Sequence, residues 1–273
     1  MAVECPVQGN HGETYNRVKL LQSQNYMVEI LGQPKLLKTH PYIRDNIPND
    51  VGIRDATKLQ IYTLMLHPVV VLMDYAMIIQ KPIDADLDRL LADSSLKGFY
   101  ISSAPDPVTG EAGVDTEFLV VKPSLDEYNK IVNAYLDTPF DPVTGWNGQG
   151  HHNFKGGMGI SGFLSYYFDG NPEYEKLDRC LYAHDADEAC LGTTSLEEAK
   201  ILKVQESTCG NPRDCPYDHP DWSEAKKNAC SYLHRKCELS PKLSFSLFYP
   251  QLLHSKYHPL TWRLVLLSLK MCL

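Results

Sequence analysis

No run of this chain reaches the roughly 18 uninterrupted apolar residues of a membrane-spanning helix, so no transmembrane segment is expected. No basic stripe interleaved with aromatics occurs either. Lys and Arg number 26 against 34 Asp and Glu, giving a net charge of −8, which argues against nucleic acid as a partner. An acidic chain can still bind an anionic nucleotide locally, because backbone N–H groups and one or two cations suffice. The opening Met1-Ala2-Val3-Glu4-Cys5-Pro6 has neither the basic n-region nor the apolar core of a signal peptide. Two readings follow: a cytoplasmic protein, or a secretory one whose true N-terminus is longer.

No Cys-x-x-Cys pair is present, and this weakens the case for a zinc site. Six of the 8 cysteines nevertheless cluster: Cys180, Cys190, Cys209, Cys215, Cys230 and Cys237. An even, clustered set suggests disulfides and an oxidising lumen. Buried thiols and a loose metal site are the alternatives. At least one bridge is expected, with Cys209–Cys215 or Cys230–Cys237 as the pairs closest in sequence. The last stretch, from Leu239, lacks acids altogether and carries Lys242, Lys256, Arg263 and Lys270. That break in composition suggests an appended tail, unstructured or a product of gene misprediction, with membrane-surface association as its functional reading.

What is present reads as one α/β domain. The 273 residues are 43% hydrophobic and 22% charged, enough to bury a sizeable core. Helical spacing of Leu59, Tyr62 and Leu66 predicts a helix over 54–66, ended by Pro68. Val69-Val70-Val71-Leu72-Met73 is a β-branched run suited to a strand buried on both faces. Further strands are expected at 26–31, 99–103, 118–121 and 201–204. Helices are expected at 13–22, 85–92, 125–136, 160–168, 195–200 and 223–236. Ser124 with Glu127 is a capping-box signature for the helix at 125. Asp-Pro-Val-Thr-Gly occurs twice, at 106–110 and 141–145, and marks two similar turns.

Two places could carry chemistry. Asp74 ends the 69–73 strand, and ligands of open α/β sheets lie beyond the carboxyl ends of their strands. A carboxylate there can take a metal or a sugar hydroxyl; the plain alternative is a turn residue. The segment 145–157 gathers Trp146, Asn147, Gln149, His151, His152 and Asn153 among glycines. An aromatic face with amide and imidazole hydrogen bonds suits a saccharide, and glycines allow close approach. The alternative is a flexible surface loop. The adjacent histidines are weak zinc evidence, since in extended chain they point to opposite faces.

The order Lys58-Leu59 on a helix, apolar strand, Asp74, then a short strand before Lys81-Pro82-Ile83-Asp84 resembles the glycogenin-like (family 8) glycosyltransferases. The resemblance spans roughly residues 13–215 and is most specific around 54–123. It implies a GT-A-like nucleotide-diphospho-sugar transferase fold, a mixed central sheet with flanking helices, over 1–215. A cysteine-containing helical extension (216–238) and the tail (239–273) would follow. It implies a retaining transfer of a hexose from a nucleotide-diphosphate sugar to a saccharide or protein acceptor, in a Golgi-like lumen. Lys58, Asp74, Tyr75, Asp115 and Thr116 then match donor-binding positions, while Trp146, Asn147, Gln149, His151 and His152 are the sugar or acceptor candidates on their own chemistry. Mn2+ or Mg2+ would be held by an Asp-x-Asp motif and a His. Here Asp74-Tyr75-Ala76 keeps one carboxylate of that motif, and Gln205 replaces the His. Asn211 and Arg213 replace a diphosphate-binding Lys and a Trp, and Gly159-Ile160-Ser161-Gly162 lacks a further carboxylate. A catalytically inactive sugar- or partner-binding homologue is therefore the alternative.

Overall fold

The computed structural model describes residues 2–4, 28–30, 56–74, 77–154, 156–185, 188–203 and 263–267. The helices expected at 13–22 and 223–236, the boundaries at 215 and 238, and Tyr75, Ala76, Gln205, Asn211 and Arg213 lie outside them.

A seven-stranded mixed sheet forms the frame. Its strands are β1 (Ala2–Glu4), β2 (Val28–Ile30), β3 (Val70–Met73), β5 (Gly98–Ser102), β6 (Val114–Val121), β9 (Tyr174–Leu177) and β11 (Arg263–Leu267). The spatial order is β2-β1-β11-β3-β6-β5-β9. β3 is parallel to β11 and antiparallel to β6, and β5 is antiparallel to β6 and parallel to β9. Two small ribbons join β4 (Met77–Ile79) to β10 (Ile201–Lys203), and β7 (Phe140–Asp141) to β8 (Gly145–Trp146).

β3 is buried along its whole length, as its uninterrupted apolar run predicts. Its side chains alternate between two cores. Val70 and Leu72 join Leu59, Tyr62, Leu119, Val121, Ile131, Tyr135, Trp146 and Phe163 on one face. Val71 and Met73 join Leu87, Leu90, Phe99, Phe118, Val120 and Ile201 on the other. The first face is covered by a 3-10 helix (Thr57–Thr63), α2 (Leu125–Asp137) and α3 (Ile160–Phe168); the second by α1 (Asp84–Ala92). The short helices α4 (Arg179–Tyr182) and α5 (Glu188–Leu191) precede β10.

Several expectations need correcting. Within the expected 54–66 helix the described residues form a 3-10 helix over Thr57–Thr63, and it ends at Leu64, where φ −81°, ψ 57° leaves the helical region. With three residues per turn Leu59 and Tyr62 stay aligned inward, but Leu66 falls beyond the end and is 94% exposed. Residues 195–200 form a turn, not a helix. Ser195 and Glu198 make the reciprocal cap, but the chain then turns into β10, with Lys200 N–H bonding Leu181 C=O. At α2 only half of the capping box forms. The Ser124 hydroxyl accepts from Glu127 N–H, while the Glu127 carboxylate turns into the core. Within the stretch expected as a tail, residues 263–267 lie between β1 and β3 as a parallel strand. Arg-Leu-Val-Leu-Leu is apolar enough for that central place.

Candidate functional site

The site is built at the carboxyl end of β3. Asp74 follows the strand directly, is 8% exposed, and its N–H donates to Glu117 C=O at 2.9 Å. This bond extends the β3–β6 ladder one residue past Met73–Phe118.

Opposite Asp74 the sheet is irregular. Between the pairs Tyr100–Leu119 and Ser102–Val114, β5 advances two residues while β6 advances five. The surplus chain is a bulge holding Asp115, Thr116 and Glu117. A bulge releases side chains from strict alternation and re-aims them. Here the bulge sends them to different partners. Thr116 Oγ1 accepts from the Lys58 ammonium at 3.0 Å, across to the 3-10 helix. Asp115 Oδ2 and Glu117 Oε2 both accept from the Lys203 ammonium of β10 at 2.8 Å. Asp115 Oδ1 accepts Glu117 N–H at 2.9 Å, which satisfies a donor the bulge frees from the ladder.

Four of the expected donor-binding residues are thus brought together. Lys58, Asp74, Asp115 and Thr116 are all buried, with 6–8% exposure. Burial of that many polar groups is costly unless they are paired, and the ion pairs and hydrogen bonds account for it. Burial alone would lower the Lys203 pKa. The carboxylates of Asp115 and Glu117 outweigh it and hold the ammonium above its ordinary value. Lys203 is the residue that sequence reading missed. The resemblance marks Gln205, two residues on, but gives Lys203 itself no role; the β10–β4 pairing, Lys203 opposite Met77, brings it to the bulge.

The implied Mn2+ or Mg2+ finds a poor donor set here. Among the described residues no group of three His, Cys, Asp or Glu side chains is gathered to hold a metal ion. A hard cation needs several free carboxylate or carbonyl oxygens. Asp115 and Glu117 are closed on Lys203, and of the positions the resemblance assigns to the metal only Asp74 is among the described residues.

The 145–157 segment is anchored beside the bulge. The Ser161 hydroxyl of α3 donates to Val114 C=O, and the Ser165 hydroxyl accepts Val114 N–H at 2.7 Å. Thr109 Oγ1 donates to Asn153 C=O at 2.6 Å, and Glu111 accepts from Asn153 at 3.2 Å. Both Asp-Pro-Val-Thr-Gly copies fold alike. Asp106 and Asp141 each accept the N–H groups of the residues two and three further on, and Gly110 and Gly145 close the turns at φ 74° and 79°. A Cβ on Gly145 would lie 1.8 Å from Gly150 O, and one on Gly162 would lie 1.7 Å from Gly157 O. Glycine is therefore required at both.

Trp146 is not the exposed sugar platform that its neighbours suggest. It is fully buried, packs against Tyr135, Phe140 and Phe163, and its indole N–H donates to Gly157 C=O at 2.9 Å. The loop's polar members remain at the surface. Asn147 and Gln149 are exposed, and Asn147 Nδ2 reaches the Tyr166 hydroxyl at 3.3 Å. Asn147 and His151 hold positive φ, 50° and 59°, an uncommon backbone state for side-chain-bearing residues. His151 Nε2 lies 3.6 Å from Asp169 Oδ2, and His152 Nδ1 is buried without a partner among the described residues.

No protein-family model matches this chain, and no curated protein matches it. Among solved structures it is similar to mouse xyloside xylosyltransferase 1 in its apo form. The identity is 10% and the TM-score 0.46, over 77% of this chain and 84% of that one. It is also similar to a glycosyltransferase involved in the glycosylation of the major capsid of PBCV-1. There the identity is 12% and the TM-score 0.40, over 84% of this chain and 98% of that one. Both are loose likenesses of fold.

Proposed function

We propose that this chain is a glycosyltransferase of GT-A-like, glycogenin-like type, moving a hexose from a nucleotide-diphosphate sugar to a saccharide or protein acceptor with retention. One observation carries the reading: Lys58, Asp74, Asp115 and Thr116 converge at the carboxyl end of a central strand. These are the positions the sequence resemblance assigns to the donor. Lys58 supplies positive charge toward a phosphate. Asp74 and Asp115 supply acceptors for sugar hydroxyls, and the walls of the site keep them at low dielectric, where such bonds are stronger. The polar loop residues Asn147, Gln149, His151 and His152 are the candidates for the acceptor. The Cys180–Cys190 bridge supports an oxidising, lumenal compartment. No helix among the described residues is long and apolar enough to cross a membrane.

Calorimetry with a panel of nucleotide sugars, on wild type and on Asp74→Asn and Lys58→Met, tests the proposal. Each substitution should weaken donor binding at least tenfold, about 1.4 kcal/mol. Donor hydrolysis or transfer by wild type separates turnover from binding alone. Equal affinities in all three proteins would make Asp74 a turn residue and Lys58 a packing residue.

A further inference from the structure

The β6 bulge takes Asp115, Thr116 and Glu117 out of the regular ladder, so strand pairing alone does not fix where their side chains point. Asp115 is held by two donors, one on each carboxylate oxygen. Oδ1 accepts the Glu117 N–H at 2.9 Å, a contact inside the bulge that moves with it. Oδ2 accepts from the Lys203 ammonium at 2.8 Å, and this contact comes from outside, from the β10–β4 ribbon. The same ammonium lies 2.8 Å from Glu117 Oε2, so one cation fastens both acids of the bulge. A lysine suits this double contact because its ammonium is a compact charge with three donors. The lysine is itself anchored. Its N–H donates to His184 C=O at 2.9 Å, and β10 pairs with β4 from Lys203–Met77 to Ile201–Ile79. The three side chains are not equally open: Asp115 is 8% exposed, Lys203 26% and Glu117 33%.

Resting on the transferase reading, in which Asp115 accepts from a sugar hydroxyl, the geometry points to Lys203 as a positioning residue for the donor sugar. It acts through Asp115, holding one carboxylate oxygen while the Glu117 N–H holds the other. An ionised carboxylate has about four lone-pair sites. One on each oxygen is spent on these donors, which leaves each oxygen an acceptor site for the hydroxyls of a sugar ring. An acceptor fixed before binding loses less freedom when the sugar arrives. Glu117, the more exposed acid, shares the ammonium and keeps it at the bulge. The effect of Lys203 therefore belongs to the sugar and not to the nucleotide.

Calorimetry in buffer containing Mn2+ compares UDP and GDP with UDP-glucose, UDP-galactose and GDP-mannose, on wild type, Lys203→Met and Lys203→Arg. Lys203→Met should bind the nucleotide sugar about tenfold more weakly, within the range of coupling inside one charge network. Its affinity for the bare nucleotide should stay within about twofold of wild type, the scatter of uncoupled sites. Lys203→Arg, which still reaches both acids, should restore most of the loss. An equal loss for bare nucleotide and nucleotide sugar makes Lys203 a phosphate contact and overturns the proposal. So does a Lys203→Met protein with wild-type affinity for the nucleotide sugar, and in that case the transferase reading stands. If Lys203→Met does not fold, Asp115→Asn is compared with the double variant Lys203→Met/Asp115→Asn, in which the buried acid that lost its partner is neutral. Equal nucleotide-sugar affinity of these two supports action through Asp115, and a further loss in the double variant refutes it. If wild type binds none of these ligands, the transferase reading fails and takes the proposal with it.

Discussion

Trp146 lies in a run of Gly, Asn, Gln and His, and composition alone makes it a sugar platform. Its burial against Tyr135 and Phe163 makes it a core residue that anchors the loop from beneath. Trp146→Ala should therefore cost about 3–5 kcal/mol in urea unfolding, the scale for deleting a buried Trp. Trp146→Phe should cost about 1–3 kcal/mol, because it leaves Gly157 C=O without its donor. A Trp146→Ala protein of wild-type stability would return the residue to the ligand surface. Lys203 is the converse case. A lysine near a strand end is usually solvated, and only the distant Asp115 and Glu117 give it a task.

At the scale of elements, α2 begins over a buried network at the amino end of β3, away from Asp74. Glu127 accepts from the Tyr174 and Tyr167 hydroxyls at 2.9 and 3.2 Å and from Lys97 at 2.7 Å, while Tyr62 bonds Tyr174 at 3.2 Å. Burial above all raises the pKa of all three tyrosines over the ordinary value; the Glu127 charge adds to it, for Tyr174 after the Tyr62 contact. The unfolded chain ionises tyrosine near pH 10, whereas the folded chain holds the proton. The unfolded state thus binds fewer protons above about pH 10, and stability must fall as pH rises through that range. Lys203 adds to the fall, since its raised pKa gives stability that is present below about pH 10.4 and lost as pH climbs through the folded value. Melting temperatures should be level between pH 7 and 9 and drop toward pH 11. Glu127→Gln should make that drop shallower without removing it, because burial is the largest cause. A melting temperature unchanged at pH 11 would show the network to be open to water.

For the whole molecule, the Cys180–Cys190 bridge closes the segment that delivers β10 to the bulge. His184, inside that segment, bonds Ile201 and Lys203 through its backbone and Thr194 C=O through its ring at 3.0 Å. A loop with a sequence separation of 10 restrains the unfolded chain by about 2–3 kcal/mol in the loop-entropy account. The Cys180→Ser/Cys190→Ser double variant should lose about that much stability. Amide exchange of residues 201–203 should also quicken more than that of β3 and β6. Equal acceleration everywhere would mean that the bridge stabilises globally and does not set the register of Lys203. The two pairings expected from close spacing, Cys209–Cys215 and Cys230–Cys237, fall outside the described residues. The observed bridge joins cysteines further apart in the chain than either.

Much of the frame was legible beforehand, for local reasons. The β-branched run at 69–73, the apolar ISGFLSYYF helix, the Ser124 cap and the twin Asp-Pro-Val-Thr-Gly turns depend on interactions within a few residues. So does the placement of Asp74 at a strand end. Strand β9, the ending of the 3-10 helix at Leu64 and the turn at 195–200 were not legible, because packing and strand pairing override propensity at such short lengths. The bulge in β6 needs the neighbouring strand to define it. The sequence by itself therefore determined the α/β grammar and which polar residues stand near one sheet edge. Only the tertiary structure decided that Trp146 is core and that Lys203 pairs with Asp115 and Glu117. Burial and charge pairing are long-range properties, created when segments 88 residues apart are brought within a hydrogen bond of each other.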